Sequence, residues 1–269
     1  MTRPSVISKI LDDAEKNGIL NLRTEDIAKT MPGVSADALR QALHRLQRKG
    51  RISSLQRGSG HWVIIPLRDA HMGAPALEAW LHTYMTKTLN IPYYVGLLSA
   101  AEIFGASPYA VMNTQVVVAN PRRNLTVGRH TLRFFSKQAV EKTPTQWHET
   151  PEGRFRISTP EVTGLELLQK QLQLGGSPRT VEVLRGLFKA MSPPGLLEAL
   201  NSIQDTAAAQ RLGALMITAN QSPLAEVIQL WLASRRIRPV TLAPNGDKSL
   251  AFFEDTFRVY LPHNLEANA

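Results

Sequence analysis

Cysteine is absent from the 269 residues, so neither a disulfide framework nor a cysteine-ligated metal site is available. Absent too is any long apolar run. The longest uncharged stretch, Ile103 to Pro121, is interrupted by Gly, Ser, Asn, Gln and Pro and cannot span a bilayer. Asp12, Asp13, Glu15 and Lys16 come too early for the apolar core of a secretory signal. These absences predict a soluble, cytoplasmic protein with no membrane partner.

Catalytic signatures are missing as well. The histidines at 44, 61, 71, 82, 130, 148 and 263 include no pair four residues apart, which excludes a helical zinc clamp. Gly58-Ser-Gly60 is too short to cradle phosphates, and no Gly-x-Ser-x-Gly elbow occurs. No Glu-x-Lys pair marks the strand of a metal-dependent nuclease. His148-Glu149 beside Trp147 is read as a surface-loop pairing. The expectation is a chain with no catalytic residues, no metal and no cofactor.

What is present concentrates at the start. Val6, Ile7, Ile10, Leu11 and Ala14 predict an amphipathic helix over 5–16, ended by Asn17-Gly18. Ile19 to Leu22 fits a short strand, and Thr24 can cap a second helix with Glu25 and Asp26 in its first turn. After Met31-Pro-Gly-Val34, Ser35 can cap a third helix whose Leu39, Leu43 and Leu46 share one face. Its other face carries Arg40, Gln41, His44, Arg45 and Arg48. Residues 51–55 and 61–65 then flank Gln-Arg-Gly-Ser-Gly as a hairpin with Arg51 at its base and Arg57 and Ser59 at its tip. Helix, strand, helix, turn, helix and wing is the order of a winged helix-turn-helix, and these side chains are its candidate DNA contacts.

Charge shows the same division. Residues 1–68 carry 12 Lys+Arg and 6 Asp+Glu, net +6, against net +3 for residues 69–269. A positive excess of this kind suits phosphate neutralisation. Residues 122–156 hold a second basic segment, 8 cations against 3 carboxylates. Arg129, Thr131 and Arg133 alternate, so on a strand they would share a face with Arg122 and Arg123 nearby. That surface fits an additional DNA or antitoxin surface, or plain solvation, equally well.

Residues 66–75 read as a linker, which divides the chain into a winged helix over 1–66, a connection over 67–76 and a larger domain over 77–269. The larger domain begins with a helix through Leu77, Trp80, Leu81, Tyr84 and Met85 and a second over Tyr93–Gly105. Strands come next, near 116–119, 125–127, 130–135 and 154–158. Helices return after Pro160 and near 179, 195, 205 and 223, and strands close the chain at 239–242, 250–253 and 257–261. Strands between helical runs make the fold class α+β, a mixed α/β arrangement.

The segment Tyr93-Tyr-Val-Gly-Leu-Leu-Ser-Ala-Ala-Glu-Ile-Phe-Gly105, the basic start Asn120-Pro-Arg-Arg123, the entry Ile157-Ser-Thr-Pro-Glu161 and the helix bearing Arg211-Leu-Gly213 occur in the order seen in the AbiEi family. The chain resembles these antitoxins of type IV toxin–antitoxin (abortive infection, phage defence) systems over nearly its whole length. Phe104 stands where many members carry His. The resemblance implies an autorepressor whose winged helix binds inverted repeats in its own promoter. It also implies a C-terminal antitoxin domain that counteracts a nucleotidyltransferase-type toxin without a stable complex. The residues alone support only the DNA-binding half. Two rivals stand beside it: a stand-alone winged-helix transcription factor with a ligand-sensing or oligomerising domain, and an enzyme such as a nuclease tethered to DNA.

Overall fold

The computed structural model describes residues 6–56 and 58–263. The expected start of the first helix at Ser5 and the whole of Arg57 lie outside the described residues. In chain order the elements are α1 (Val6–Lys16), β1 (Asn21–Arg23), α2 (Thr24–Thr30), α3 (Ala36–Arg48), β2 (Ile52–Ser54) and β3 (His61–Ile64). Then come α4 (Leu81–Thr83), β4 (Tyr93–Val95), α5 (Leu97–Ile103), β5 (Thr114–Val118), β6 (Leu125–Val127) and β7 (His130–Ser136). After these lie β8 (Thr145–Thr150), β9 (Gly153–Ser158), α6 (Pro160–Lys170), α7 (Ser177–Leu187), α8 (Pro193–Ile203), α9 (Thr206–Thr218) and α10 (Ser222–Ala233). Three short strands close the described chain: β10 (Val240–Thr241), β11 (Ala251–Glu254) and β12 (Val259–Pro262). The class is mixed α+β, as the alternation of periods predicts.

Two compact units form, and neither is a continuous stretch. The first comprises residues 1–93, 112–138 and 147–156; the second comprises 94–111, 139–146 and 157–269. The chain changes unit inside β4, inside β8 and inside β9, and twice between elements.

Within the first unit, α1, α2 and α3 bury Ile7, Leu11, Ile27, Leu39, Leu43 and Leu46 beside a three-stranded sheet ordered β1-β3-β2. Each such side chain contributes about 1.5–3 kcal/mol on leaving water. Both pairings are antiparallel, with Leu22 opposite Trp62 and Ser54 opposite Trp62 from the other side. Strand β1 also ties these elements to the chain beyond β3. The Asn21 amide donates to the Trp80 carbonyl at 2.9 Å, and the Arg23 guanidinium donates to the carbonyls of Lys87 and Thr88 at 2.6 and 3.1 Å.

Those last acceptors lie in a segment that departs from the periodicity. The expected helix through Leu77 and Met85 is broken into a 3₁₀ turn (Leu77–Ala79), α4 and a π-helical stretch (Tyr84–Thr88). The last carbonyls of a helical run have no partner within it, and Arg23 takes two of them, Lys87 and Thr88. Residues 67–72, expected as part of a linker, form a 3₁₀ helix ended by Gly73 at φ +71°.

A second departure concerns residues 93–105. Tyr93–Val95 is a strand, and the helix begins only at Leu97, a buried residue held at φ +56°. An apolar run this short does not distinguish buried strand from buried helix. A third is β8, which replaces the expected loop around His148. His148 faces Glu78 at 3.6 Å, while Glu149 pairs with Arg154 at 3.1 Å.

The large sheet is ordered β6-β7-β5-β4-β9-β8. β5 and β7 run parallel in register Val116 to Phe134, and β6 and β7 form the antiparallel hairpin. In the second unit α6 packs against α5, α7, α8 and α9. Every residue from Pro160 to Leu168 is buried, Glu161, Thr163 and Glu166 included. The closing sheet, ordered β10-β12-β11, is locked to α9 by Gln210, which donates to the carbonyls of Arg238 and Phe257 at 3.0 and 2.6 Å.

Candidate nucleic-acid interface

Helix α3 is set by its ends and by one face. Ser35 is the N-cap, its hydroxyl accepting the Ala38 N–H at 3.2 Å, a bond typically worth about 1 kcal/mol. With Leu39, Leu43 and Leu46 buried, the exposed surface splits into two stripes at helical spacing. Arg40, His44 and Gln47 form one. Gln41, Arg45 and Arg48 form the other, pointing most directly away from the buried leucines. Arg40 is ion-paired with Asp37 one turn before it.

The stripe of Arg40, His44 and Gln47 lines a cleft of about 1240 Å³. Its second wall is the β2–β3 hairpin, through Ser54, Gln56, Gly58 and Trp62. Its third is the connection into β6, from Pro121 to Thr126, including Arg122 and Arg123. No Asp or Glu lines it among the described residues. The hairpin is rigid at its root. Trp62 donates its indole N–H to the Thr24 hydroxyl at 2.9 Å, and Thr24 bonds the Gly60 carbonyl through both its N–H and its hydroxyl. Burial, helped by Arg23, pushes the His61 imidazole below its ordinary value. Burial pushes the Tyr84 phenol up while Arg122 acts in the opposite sense.

Other candidates have different surroundings. The Arg51 guanidinium is held by Asp12 at 2.9 Å and Glu15 at 3.6 Å, so it ties the hairpin base to α1. Ser59 spends its hydroxyl within the turn, donating to the Gln56 carbonyl at 2.8 Å. Arg129 sits in the turn before β7 and not on the strand, so the expected alternation with Thr131 and Arg133 fails at its first member. Arg133 lies over the Phe135 ring at 4.8 Å.

Sequence reasoning missed a cluster on β8 and β9. The Arg154 and Arg156 guanidiniums lie 4.4 and 4.3 Å from the Trp147 ring centre, with the His82 ring edge-on to it. Burial first, then Arg154 and Arg156, lowers the His82 pKa. The Arg154/Arg156 alternation was visible in the chain; the partner strand carrying Trp147 was not.

Net charge separates along the units. The first holds 20 Lys+Arg against 10 Asp+Glu and the second 11 against 12, giving net +10 and −1. In the second unit, buried Tyr94 donates to Glu166 at 2.5 Å, and buried Glu161 accepts the Ser192 N–H at 2.8 Å at the start of α8. Tyr94 is pushed far up by burial and by the Glu166 carboxylate, so its hydroxyl stays protonated. Among the described residues no group of three or more His, Asp or Glu is placed to hold a metal ion, and no helix is long and apolar enough to cross a membrane.

Residues 94–217, from β4 through most of α9, match the AbiEi antitoxin C-terminal domain. Over these residues the chain is similar to the AbiEi antitoxins. The AbiEi match takes in the basic segment 122–156 and the Tyr94–Glu166 and Glu161–Ser192 bonds. One similar solved structure is the RV2827C protein from Mycobacterium tuberculosis. It is 18% identical, with a TM-score of 0.66 over 96% of this chain and 91% of that one. At this identity the likeness speaks for the fold. No curated protein sequence matches the chain.

Proposed function

We propose that the chain is an antitoxin and a transcriptional autorepressor, in which the first unit binds duplex DNA and the AbiEi domain counteracts a nucleotidyltransferase-type toxin. The α1–β1–α2–α3–β2–β3 order, with a sheet ordered β1-β3-β2, supports reading residues 1–66 as a winged helix-turn-helix. The observation that carries the DNA reading is the concentration of the whole positive excess in the unit that contains α3. Phosphate contacts dominate affinity for duplex DNA and need cations on one surface. The family match supports the antitoxin role, exercised in the cytoplasm and on the nucleoid when DNA is bound. As in type IV systems, counteraction here requires no stable complex with the toxin.

Two measurements test this. Purified full-length chain should bind duplex DNA from upstream of its own reading frame more tightly than a scrambled duplex, in a gel shift at fixed salt. Co-expression with an adjacent nucleotidyltransferase reading frame should restore growth. Binding without rescue would favour a stand-alone transcription factor. For that reading the second unit offers a cleft of about 820 Å³ lined by Tyr109, Arg179 and Arg185. Metal-dependent cleavage of the bound duplex would instead favour a nuclease.

A further inference from the structure

We infer that the two polar stripes of α3 divide the work of recognition. Gln41, Arg45 and Arg48 face the bases, while the cleft beside α3 clamps one sugar–phosphate strand between Arg40 and His44 on one wall and Arg122 and Arg123 on the other. This rests on the DNA-binding reading above and adds which surface meets which part of the duplex. An α-helix with its side chains is about 10–12 Å across, nearly the width of the B-DNA major groove, about 12 Å. A helix seated in that groove therefore has a phosphate ridge along each flank. The stripe opposite the buried leucines, Gln41, Arg45 and Arg48, then points to the groove floor. The flank of Arg40 and His44 points to a ridge.

That flank is the one the cleft occupies. The hairpin stands across it, so the ridge between the groove entered by α3 and the groove reached by the hairpin runs through the cleft. The chemistry of the walls suits a polyanion, with three arginines, a histidine and no carboxylate among the described lining residues. Arg122 and Arg123 come from more than 70 positions downstream of α3, inside the AbiEi match. DNA binding and the AbiEi sequence are thus joined at this cleft.

Full-length R122A/R123A, and R122Q/R123Q as a variant that keeps side-chain bulk, should unfold thermally like the parent. Each lost phosphate contact lowers the slope of log affinity against log salt by about 0.9. The double variants should lose about 1.8 from the slope on both the own-upstream and the scrambled duplex. A fourfold rise in salt then costs them about 12-fold less affinity than it costs the parent. The ratio between the two duplexes should stay as it was, whereas Arg45→Ala should narrow that ratio. Phosphates whose ethylation blocks the parent but not R122Q/R123Q should form a run on one strand. An unchanged slope in both double variants, with parent binding intact, overturns the clamp and leaves the DNA reading standing. A parent chain that binds neither duplex overturns the DNA reading and the clamp with it.

Discussion

Gly128→Ala tests whether the β6–β7 hairpin is pressed against residues 73–74, just beyond the N-terminal helices and their sheet. Gly128 sits at φ +53°, and a Cβ there would lie 2.3 Å from the Gly73 carbonyl carbon, 2.4 Å from its oxygen and 2.8 Å from the Ala74 nitrogen. All three are backbone atoms and cannot swing aside. Left-handed geometry alone costs an L-residue about 1–2 kcal/mol, and forcing extra volume into a packed site adds about 1–3 kcal/mol. Gly50→Ala supplies the control in the same unit, since Gly50 has φ +67° and nothing within 4 Å of its would-be Cβ. It should show the backbone cost and little else. In thermal unfolding at matched pH and salt, Gly128→Ala should fall below Gly50→Ala by at least about 1 kcal/mol, a gap of about 2–4 °C. Equal losses would refute the contact and, with it, the close seating of the hairpin on residues 73–74.

Tyr94→Phe removes a buried hydroxyl that donates to a buried carboxylate. Because hydrogen bonds to charged groups are worth about 1.5–3 kcal/mol, denaturant unfolding should register a loss of that size, and a parent-like midpoint would count against the bond. Acid should weaken the first unit. His61, His82 and His130 all have pKa values lowered chiefly by burial from 6.5. Such a histidine binds fewer protons folded than unfolded, so its stabilisation is complete above about pH 6.5 and is lost as pH falls through the folded value. Melting temperature should therefore drop on going from about pH 7.5 to 5.5, and His130→Gln should flatten the drop; a level profile in the parent would contradict the burial.

Much of the fold could be read in the chain because the signals are local. The leucine spacing of α3, the Ser35 cap and the glycine-bounded hairpin each depend on residues within one or two turns. The six arginines of the basic segment were also visible in the chain. Their relation to α3 was not, and neither was the approach of Glu78 to His148. Arg51 shows why. As a cation at a hairpin base it suits phosphate, yet Asp12 and Glu15 of α1 reach it only once the helix has folded back.

By itself the sequence determined the helical and strand periods over most of the chain, the excess of positive charge and the want of cysteine. Only the tertiary structure decided that Tyr93–Val95 is a strand, because a buried apolar triplet takes its state from the strands beside it. It also decided that the chain beyond α4 turns π-helical and that Arg23, more than 60 positions earlier, bonds the carbonyls at its end. Above all it decided that residues 112–138 and 147–156 join the N-terminal helices, leaving one unit at +10 and the other at −1. Charge is written residue by residue, but a field depends on distance, and distance between residues remote in sequence is set by packing alone.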